Sequence, residues 1–93
     1  MKYEWDPTKA SINRRIHRVS FEEAATIFLD PLAMTFEDPD HSNDEQRFVT
    51  IGWSSRHRVL FVSHADRGTD RIRIISARKA TRRERNDYKE TNG

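Results

Sequence analysis

A short basic segment near the C-terminal end of the chain carries the residue types most able to do chemistry. Between Arg71 and Arg85 there are seven lysine or arginine side chains and a single acid, Glu84. The whole chain has a net charge of +2, so this local excess of six positive charges indicates a surface that faces an anion. RNA is the polyphosphate that matches such a surface best.

The spacing within this segment predicts a strand with arginine on one face. Alternation with a period of two separates Ile72 and Ile74 from Arg71, Arg73 and Ile75. A guanidinium held on a sheet can bind a phosphate through two hydrogen bonds and stabilise a pentacovalent phosphorane. We therefore expect Arg73 to bind the reacting phosphate. The alternative is that these arginines keep the outer face soluble or pair with an acidic loop.

The histidines and one acidic loop are the remaining candidates for proton transfer. None of the histidines has the spacing of a metal-ligand set, so we expect no metal: they are His17, His41, His57 and His64. A histidine could act as general base or acid in RNA cleavage through the ribose 2′-hydroxyl, or could be a surface or capping side chain. The loop 37–45 holds five acids. It is a solvated turn, a cover over the basic face, or the source of a general base, Glu45.

Helix caps, apolar periodicity and turn residues predict the order β-α-α-β-β-β-β-α. The predicted strands lie at 2–5, 33–36, 47–53, 58–64 and 71–76. The predicted helices run from Pro7 to His17, from a capping box at 20–23 to just before Asp30, and from Thr81 to about Glu90. This pattern is typical of a small α+β domain with an antiparallel sheet, two N-terminal helices and one C-terminal helix.

Length and composition limit the classes of protein. Ninety-three residues allow one domain with a modest core, which we place at 1–93. Because there is no cysteine, disulfides, thiolate zinc sites and a cysteine nucleophile are excluded. The longest apolar run is far too short for a membrane span, and charged residues occupy the N-terminal region where a signal peptide is apolar. We expect a cytoplasmic protein that needs no cofactor and contacts no membrane.

A series of motifs runs along the chain from Tyr3 to about Tyr88. Its N-terminal part contains Tyr3-Glu4-Trp5-Asp6-Pro7-x-Lys9, Asn13-x-x-x-His17, Val19-Ser20-Phe21-Glu22-Glu23-Ala24 and Asp30-Pro31. Its C-terminal part contains Asp40-His41-Ser42, Glu45-x-Arg47 and Ile74-Ile75-Ser76-Ala77-Arg78-Lys79-Ala80-Thr81-x-x-Glu84. In this order, the motifs resemble those of the BrnT toxins of bacterial type II toxin-antitoxin systems.

The resemblance implies a RelE-like fold, ribonuclease activity that arrests growth, and inhibition by a BrnA-like antitoxin with a ribbon-helix-helix domain. That antitoxin would bind the operator DNA, so the toxin would meet DNA only indirectly. The resemblance makes functional candidates of His17, Glu45, Arg47, Arg73 and Arg78. It also suggests RNA contacts at Lys9 and Lys79, and the basic segment adds Arg71 and Arg82 to that group.

The chain departs from the family pattern at several positions. Members commonly carry Lys-His-Gly where this chain has Ile16-His17-Arg18, so a cation before the histidine is missing. If that lysine contributes to catalysis, this chain is a weak or inactive enzyme. His57 stands where glycine is usual, and the stretch 63–66 differs from the usual Tyr-Thr-Glu type.

Two hypotheses follow for the function. The first is a metal-independent endoribonuclease toxin that acts by transesterification: Arg73 and Arg78 hold the phosphate, Arg47 assists, and His17 or Glu45 transfers protons. The second is a binding module, catalytically weak or inactive, whose basic face docks nucleic acid or an acidic antitoxin segment. In both, we expect the antitoxin to cover the basic face.

Overall fold

The computed structural model describes residues 1–38 and 46–92. Its strands are β1 (Lys2–Glu4), β2 (Met34–Glu37), β3 (Arg47–Trp53), β4 (Val59–Arg67) and β5 (Arg71–Lys79). Its helices are α1 (Pro7–His17), α2 (Phe21–Thr26), which continues into a 3-10 turn (Ile27–Leu29), and α3 (Arg82–Asn92). The predicted α+β class and element order are confirmed. In the described part of the chain, no helix combines the length and the apolar character that crossing a membrane requires.

Helix α1 has the predicted bounds because both ends are defined locally. The Asp6 carboxylate accepts hydrogen bonds from the backbone N–H groups of Thr8 and Lys9, at 2.8 and 3.3 Å, and Pro7 supplies the first helical residue. At the other end, Arg18 adopts a left-handed conformation with φ 60°. A non-glycine residue in that conformation costs about 1 kcal/mol, which is why helices in general often end with glycine in this conformation.

Helix α2 begins at Ser20, whose Oγ accepts a hydrogen bond from the Glu23 N–H at 3.0 Å. The predicted capping box is only half formed, because the Glu23 side chain is buried and turned toward other partners. Its carboxylate binds the Arg58 guanidinium, with Oε1 to Nη2 at 2.6 Å and Oε2 to Nε at 2.8 Å. It also accepts a hydrogen bond from Ser54 Oγ at 2.7 Å. Glu23 therefore ties α2 to the loop between β3 and β4.

The sheet has the strand order β1-β5-β4-β3-β2. Strands β2 to β5 are antiparallel, as predicted, but β1 runs parallel to β5, so the sheet is mixed. No hairpin joins β1 to β5, and the direction of β1 follows instead from a long connection through the rest of the domain. Strands β4 and β5 extend beyond their predicted ends and are joined by a turn at Gly68, with φ 73°.

The two faces of the sheet are covered unequally. Helices α1 and α2 cover one face, the helix-covered face, where the main core comprises Val19, Phe21, Ala24, Ile27, Leu60, Val62, Ile72, Ile74 and Ala77. On the other, the open face, α3 covers only one end, where Ala80 and Tyr88 pack with Val49, Ile51 and Val59. Tyr88 Oη donates a hydrogen bond to Asp30 at 2.5 Å, which fixes α3 to the chain that leaves α2. The rest of the open face carries the basic strand residues.

Candidate functional site

A β-bulge in β5 determines which arginines share the open face. Ser63 of β4 pairs with Ser76, but the next residue, His64, pairs with Ile74. Ile75 is therefore an extra residue on β5. Arg73 and Arg78 are five residues apart and would lie on opposite faces of a regular strand. The bulge brings both to the open face.

Arg47 and Arg73 flank a small residue on this face. Arg47 pairs with Ala65, and Ala65 pairs with Arg73, so the three lie in one row across β3, β4 and β5. The backbones of the two arginines are about 10 Å apart, which is two strand spacings. Both arginines are half-buried. Neither forms an ion pair or side-chain hydrogen bond with any residue of 1–38 or 46–92, so their charge is available to an anion.

Arg78 is held in place by two neighbours. Its guanidinium forms two hydrogen bonds to the Glu84 carboxylate, at 2.8 and 3.0 Å, and lies 3.9 Å above the centre of the Phe61 ring. Glu84 also accepts a hydrogen bond from the Thr81 N–H, at 2.8 Å, which completes the predicted capping box of α3. Burial raises the pKa of Glu84, but the hydrogen bonds from Arg78 and Thr81 outweigh it and lower the pKa overall. Arg78 thus has a fixed orientation and an ionised partner.

A second group of predicted residues lies at the edge of β5. Strand β1 pairs only with residues 71–73, and beyond them the side chain of Asn13 replaces a strand partner. Its amide donates to the Ala77 carbonyl at 2.8 Å and accepts from the Ala77 N–H at 3.1 Å. Asn13 also donates to the Val19 carbonyl at 3.0 Å. These bonds hold α1 against the edge of β5.

Lys9 and His17 lie one helical turn to either side of Asn13. Together with Asn13 they line a shallow pocket of about 200 Å³, whose other lining residues are Ile12, Ile16 and Ile75. Ile75 is the bulge residue and stands two positions after Arg73. The pocket therefore reaches β5 two positions beyond Arg73, although α1 packs on the helix-covered side of the sheet.

The remaining sequence-predicted residues are dispersed. Arg71, Lys79 and Arg82 are exposed, Arg71 forming a long ion pair with Glu4 at 3.8 Å. Glu45 and His41 lie outside the described residues. His64 is buried on the helix-covered face, with Nε2 2.7 Å from Thr50 Oγ1. Burial lowers the pKa of His64, although the nearby Asp66 acts in the opposite direction, so His64 belongs to the core.

Sequence reasoning missed the two features that arrange this site. Nothing in the residue types at 74–76 indicates that one of them is extra, since the bulge depends on pairing with β4. Asn13 stands in one of the family motifs, and a polar residue at helical spacing between Lys9 and His17 was a usable signal for a buried contact.

Comparisons with known proteins identify the family. A family model described as the ribonuclease toxin BrnT of type II toxin-antitoxin systems matches residues 5–84. The 1.1 Å crystal structure of the Brucella abortus ribonuclease toxin BrnT has a similar fold, with a TM-score of 0.67 and 23% sequence identity over 88% of this chain and 99% of that chain. No curated protein matches the chain. Because the family model covers most of its length, the chain belongs to the BrnT family of ribonuclease toxins of type II toxin-antitoxin systems.

Proposed function

We propose that this BrnT-family toxin cleaves RNA on the open face by transesterification, without a metal ion. The observation that carries the proposal is the row formed by Arg47, Ala65 and Arg73, in which two guanidinium groups without a described counter-ion flank a small residue. A phosphodiester that lies between the two arginines would have a cation on each side. Preorganised donors of this kind stabilise charge that develops in a transition state.

In the proposed reaction, the ribose 2′-oxygen attacks the adjacent phosphorus and the bond from phosphorus to the 5′-oxygen breaks. A base accepts the proton of the 2′-hydroxyl, and an acid donates one to the leaving 5′-oxygen. The products are a 2′,3′-cyclic phosphate and a 5′-hydroxyl. Arg73 and Arg47 bind the non-bridging oxygens and offset the extra negative charge of the phosphorane.

Arg78 has a different part in this proposal. Because Glu84 and Phe61 fix its guanidinium, Arg78 approaches the phosphate with part of its charge already compensated. Arg78 therefore contributes more to orienting the RNA than to neutralising the negative charge of its phosphate.

Proton transfer and RNA contacts involve the other candidates. His17 is exposed in the pocket at the edge of β5, and we assign proton transfer to His17 or Glu45. Lys9 lines the same pocket as His17, and we assign it, with Arg71, Lys79 and Arg82, to the RNA backbone. The exposure of these four side chains supports this assignment.

The test is cleavage of RNA by the purified protein in excess EDTA. We expect fragments with 2′,3′-cyclic phosphate and 5′-hydroxyl ends, at the same rate with and without added Mg²⁺. Intact RNA would contradict the nuclease proposal. Activity that EDTA abolishes and Mg²⁺ restores would contradict metal independence.

We further propose that a BrnA-like antitoxin inhibits the toxin by covering the open face, and that the pair acts in the cytoplasm. Arg47 and Arg73 have no counter-ion among residues 1–38 and 46–92, which supports this, since an acidic segment would be attracted to the surface that binds RNA. Antitoxin and RNA should compete for the toxin. Simultaneous binding of both would contradict occlusion.

One observation favours the binding-module alternative. Ile16 is exposed beside His17, where the family commonly has lysine, so the cation that would precede the histidine is missing. A module without catalysis would bind RNA with steep salt dependence, yield no products and cause no growth arrest on expression.

A further inference from the structure

Arg18 occupies a backbone conformation that favours glycine, yet its side chain is not needed to end α1. The Arg18 N–H donates to the Arg14 carbonyl at 3.0 Å. The Arg18 carbonyl accepts from Arg58 Nη2 at 2.9 Å. Both contacts use only the backbone of residue 18, so glycine would form them with less strain. Favourable interaction with the helix dipole does not require Arg18, because Arg14 and Arg15 already provide cations in the last turn. The arginine side chain therefore has another use.

Arg18 belongs to a cluster on the outer side of α1, which we call the arginine patch. Ser11, Arg14, Arg15 and Arg18 line one shallow pocket of about 360 Å³. All four are exposed. None of the three arginine side chains forms an ion pair within the described part of the chain, so three positive charges stand together without compensation.

The patch is separate from the proposed cleavage site. Ser11 and Arg15 each lie two residues from Asn13, which places them about 160° away from it around the helix. Asn13 faces Ala77 at the edge of β5. The arginine patch therefore faces away from the sheet, and a ligand there would not displace one bound by Arg47 and Arg73.

The lining of the patch indicates the class of ligand. Three arginine side chains and Ser11 line it, and no residue with a fully apolar side chain does. Protein interfaces depend on apolar or aromatic anchors at their centre. Such anchors line a different surface pocket, of about 400 Å³, where Leu29, Pro31 and Trp53 lie together. A polyphosphate suits the arginine patch better, because each guanidinium can bind phosphate oxygens in a fixed geometry.

We infer that the arginine patch binds the phosphate backbone of RNA outside the cleavage site. This rests on the proposed function only in taking RNA as the substrate. An RNA long enough to contact both surfaces gains affinity, because the second contact forms within a complex that already exists. A short oligonucleotide that occupies only the arginine row gains nothing from the patch.

Arg18→Gly tests this directly, because its effects on stability and on binding should have opposite signs. Binding is measured with 2′-O-methyl RNA, which lacks the nucleophile and stays intact. We expect Arg18→Gly to raise the melting temperature and to weaken binding of long RNA about threefold to tenfold. Loss of one phosphate contact should reduce the slope of log affinity against log salt by about 0.7. Binding of a short oligonucleotide should not change.

His57→Gly is the matched control. His57 has φ 61°, the same left-handed conformation, and lies in the turn before β4, outside the patch. Its replacement should also raise the melting temperature and should leave RNA binding unchanged. The combined variant Arg14→Ala, Arg15→Ala, Arg18→Gly should weaken binding of long RNA more than Arg18→Gly does and should leave binding of the short oligonucleotide unchanged.

Several results would overturn the inference. Unchanged binding of long RNA by the combined variant would do so, as would equal weakening for long and short RNA, which would make the patch part of the cleavage site. Weaker antitoxin binding with unchanged RNA binding would identify a protein-docking surface instead. Failure of the proposed function looks different: the wild-type protein would bind long RNA through the patch and leave unmodified RNA uncleaved.

Discussion

Arg47 and Arg73 stand on opposite sides of Ala65, on two strands that are not neighbours, and both lie on the face of the sheet that α1 and α2 leave open. Ala65 is fully buried, so it adds no exposed surface of its own between the two arginines. The rigid sheet holds the backbones of these two like-charged residues about 10 Å apart, across two strand spacings. This arrangement suits an anion placed between them and needs little rearrangement when charge develops.

The geometry of Arg73 matters as well as its charge. Arg73→Lys keeps the charge but loses the planar group that binds two phosphate oxygens at once. We expect kcat/KM for RNA to fall about tenfold to a hundredfold, with a change in unfolding free energy within about 0.5 kcal/mol. Arg83→Lys, on the exposed side of α3, is the control and should match the wild type. Full activity of Arg73→Lys would show that charge alone suffices.

Glu84 competes with RNA for Arg78. Glu84→Gln removes the negative charge and leaves Arg78 with a neutral partner, so RNA affinity should rise and the salt dependence of binding should become steeper. The same change weakens the cap of α3 and should lower the unfolding free energy by about 1 kcal/mol. Glu90→Gln, an exposed position on the same helix, serves as the control. Weaker RNA binding by Glu84→Gln, measured by titration, would show that the ion pair positions Arg78 productively.

The ion pair between Glu23 and Arg58 should account for most of the unfolding free energy that the protein loses at acid pH. The hydrogen bond from Arg58 is the main reason that the pKa of Glu23 lies below its ordinary value of 4.5, with burial acting in the opposite direction. The contribution of ionised Glu23 to the unfolding free energy is therefore complete when the pH is above that ordinary value. It is lost as the pH falls through the lowered pKa of Glu23 in the folded state. Glu23→Ala should cost about 3 kcal/mol in chemical denaturation at neutral pH. The exposed neighbour Glu22→Ala should cost little, and similar losses in the two variants would refute the pairing argument.

His64 should make the unfolding free energy depend on pH in a range above the one in which Glu23 acts. Burial holds its pKa below the ordinary value of 6.5, and Asp66, 3.5 Å from Nδ1, offsets this in part. In the unfolded chain, His64 binds a proton as the pH falls through about 6.5, whereas in the folded protein it does so only at lower pH. The unfolding free energy therefore falls as the pH drops below about 6.5. His64→Gln keeps a polar partner for Thr50 and should remove this part of the pH slope. Identical slopes for the wild type and His64→Gln in denaturation at several pH values would contradict the assignment.

Local sequence patterns predicted the helices and strands well. The arrangement of the site residues depends instead on pairing between strands that are far apart in the sequence. Asp6-Pro7 and Thr81-x-x-Glu84 define helix starts through adjacent atoms, and the structure has helices at both. Ser20-x-x-Glu23 has the same pattern, but a distant arginine, Arg58, takes the Glu23 carboxylate. The direction of β1 and the bulge at Ile75 depend on partners far along the chain, and no local pattern encodes them.

The most direct measurement is the rate of 2′,3′-cyclic phosphate formation from RNA in EDTA, at saturating protein, for the wild type and for Arg47→Ala combined with Arg73→Ala. We predict that the double variant is slower by a factor of at least about 100, with an unchanged melting temperature and with Arg83→Ala as active as the wild type. A double variant that forms the cyclic product at the wild-type rate would contradict it.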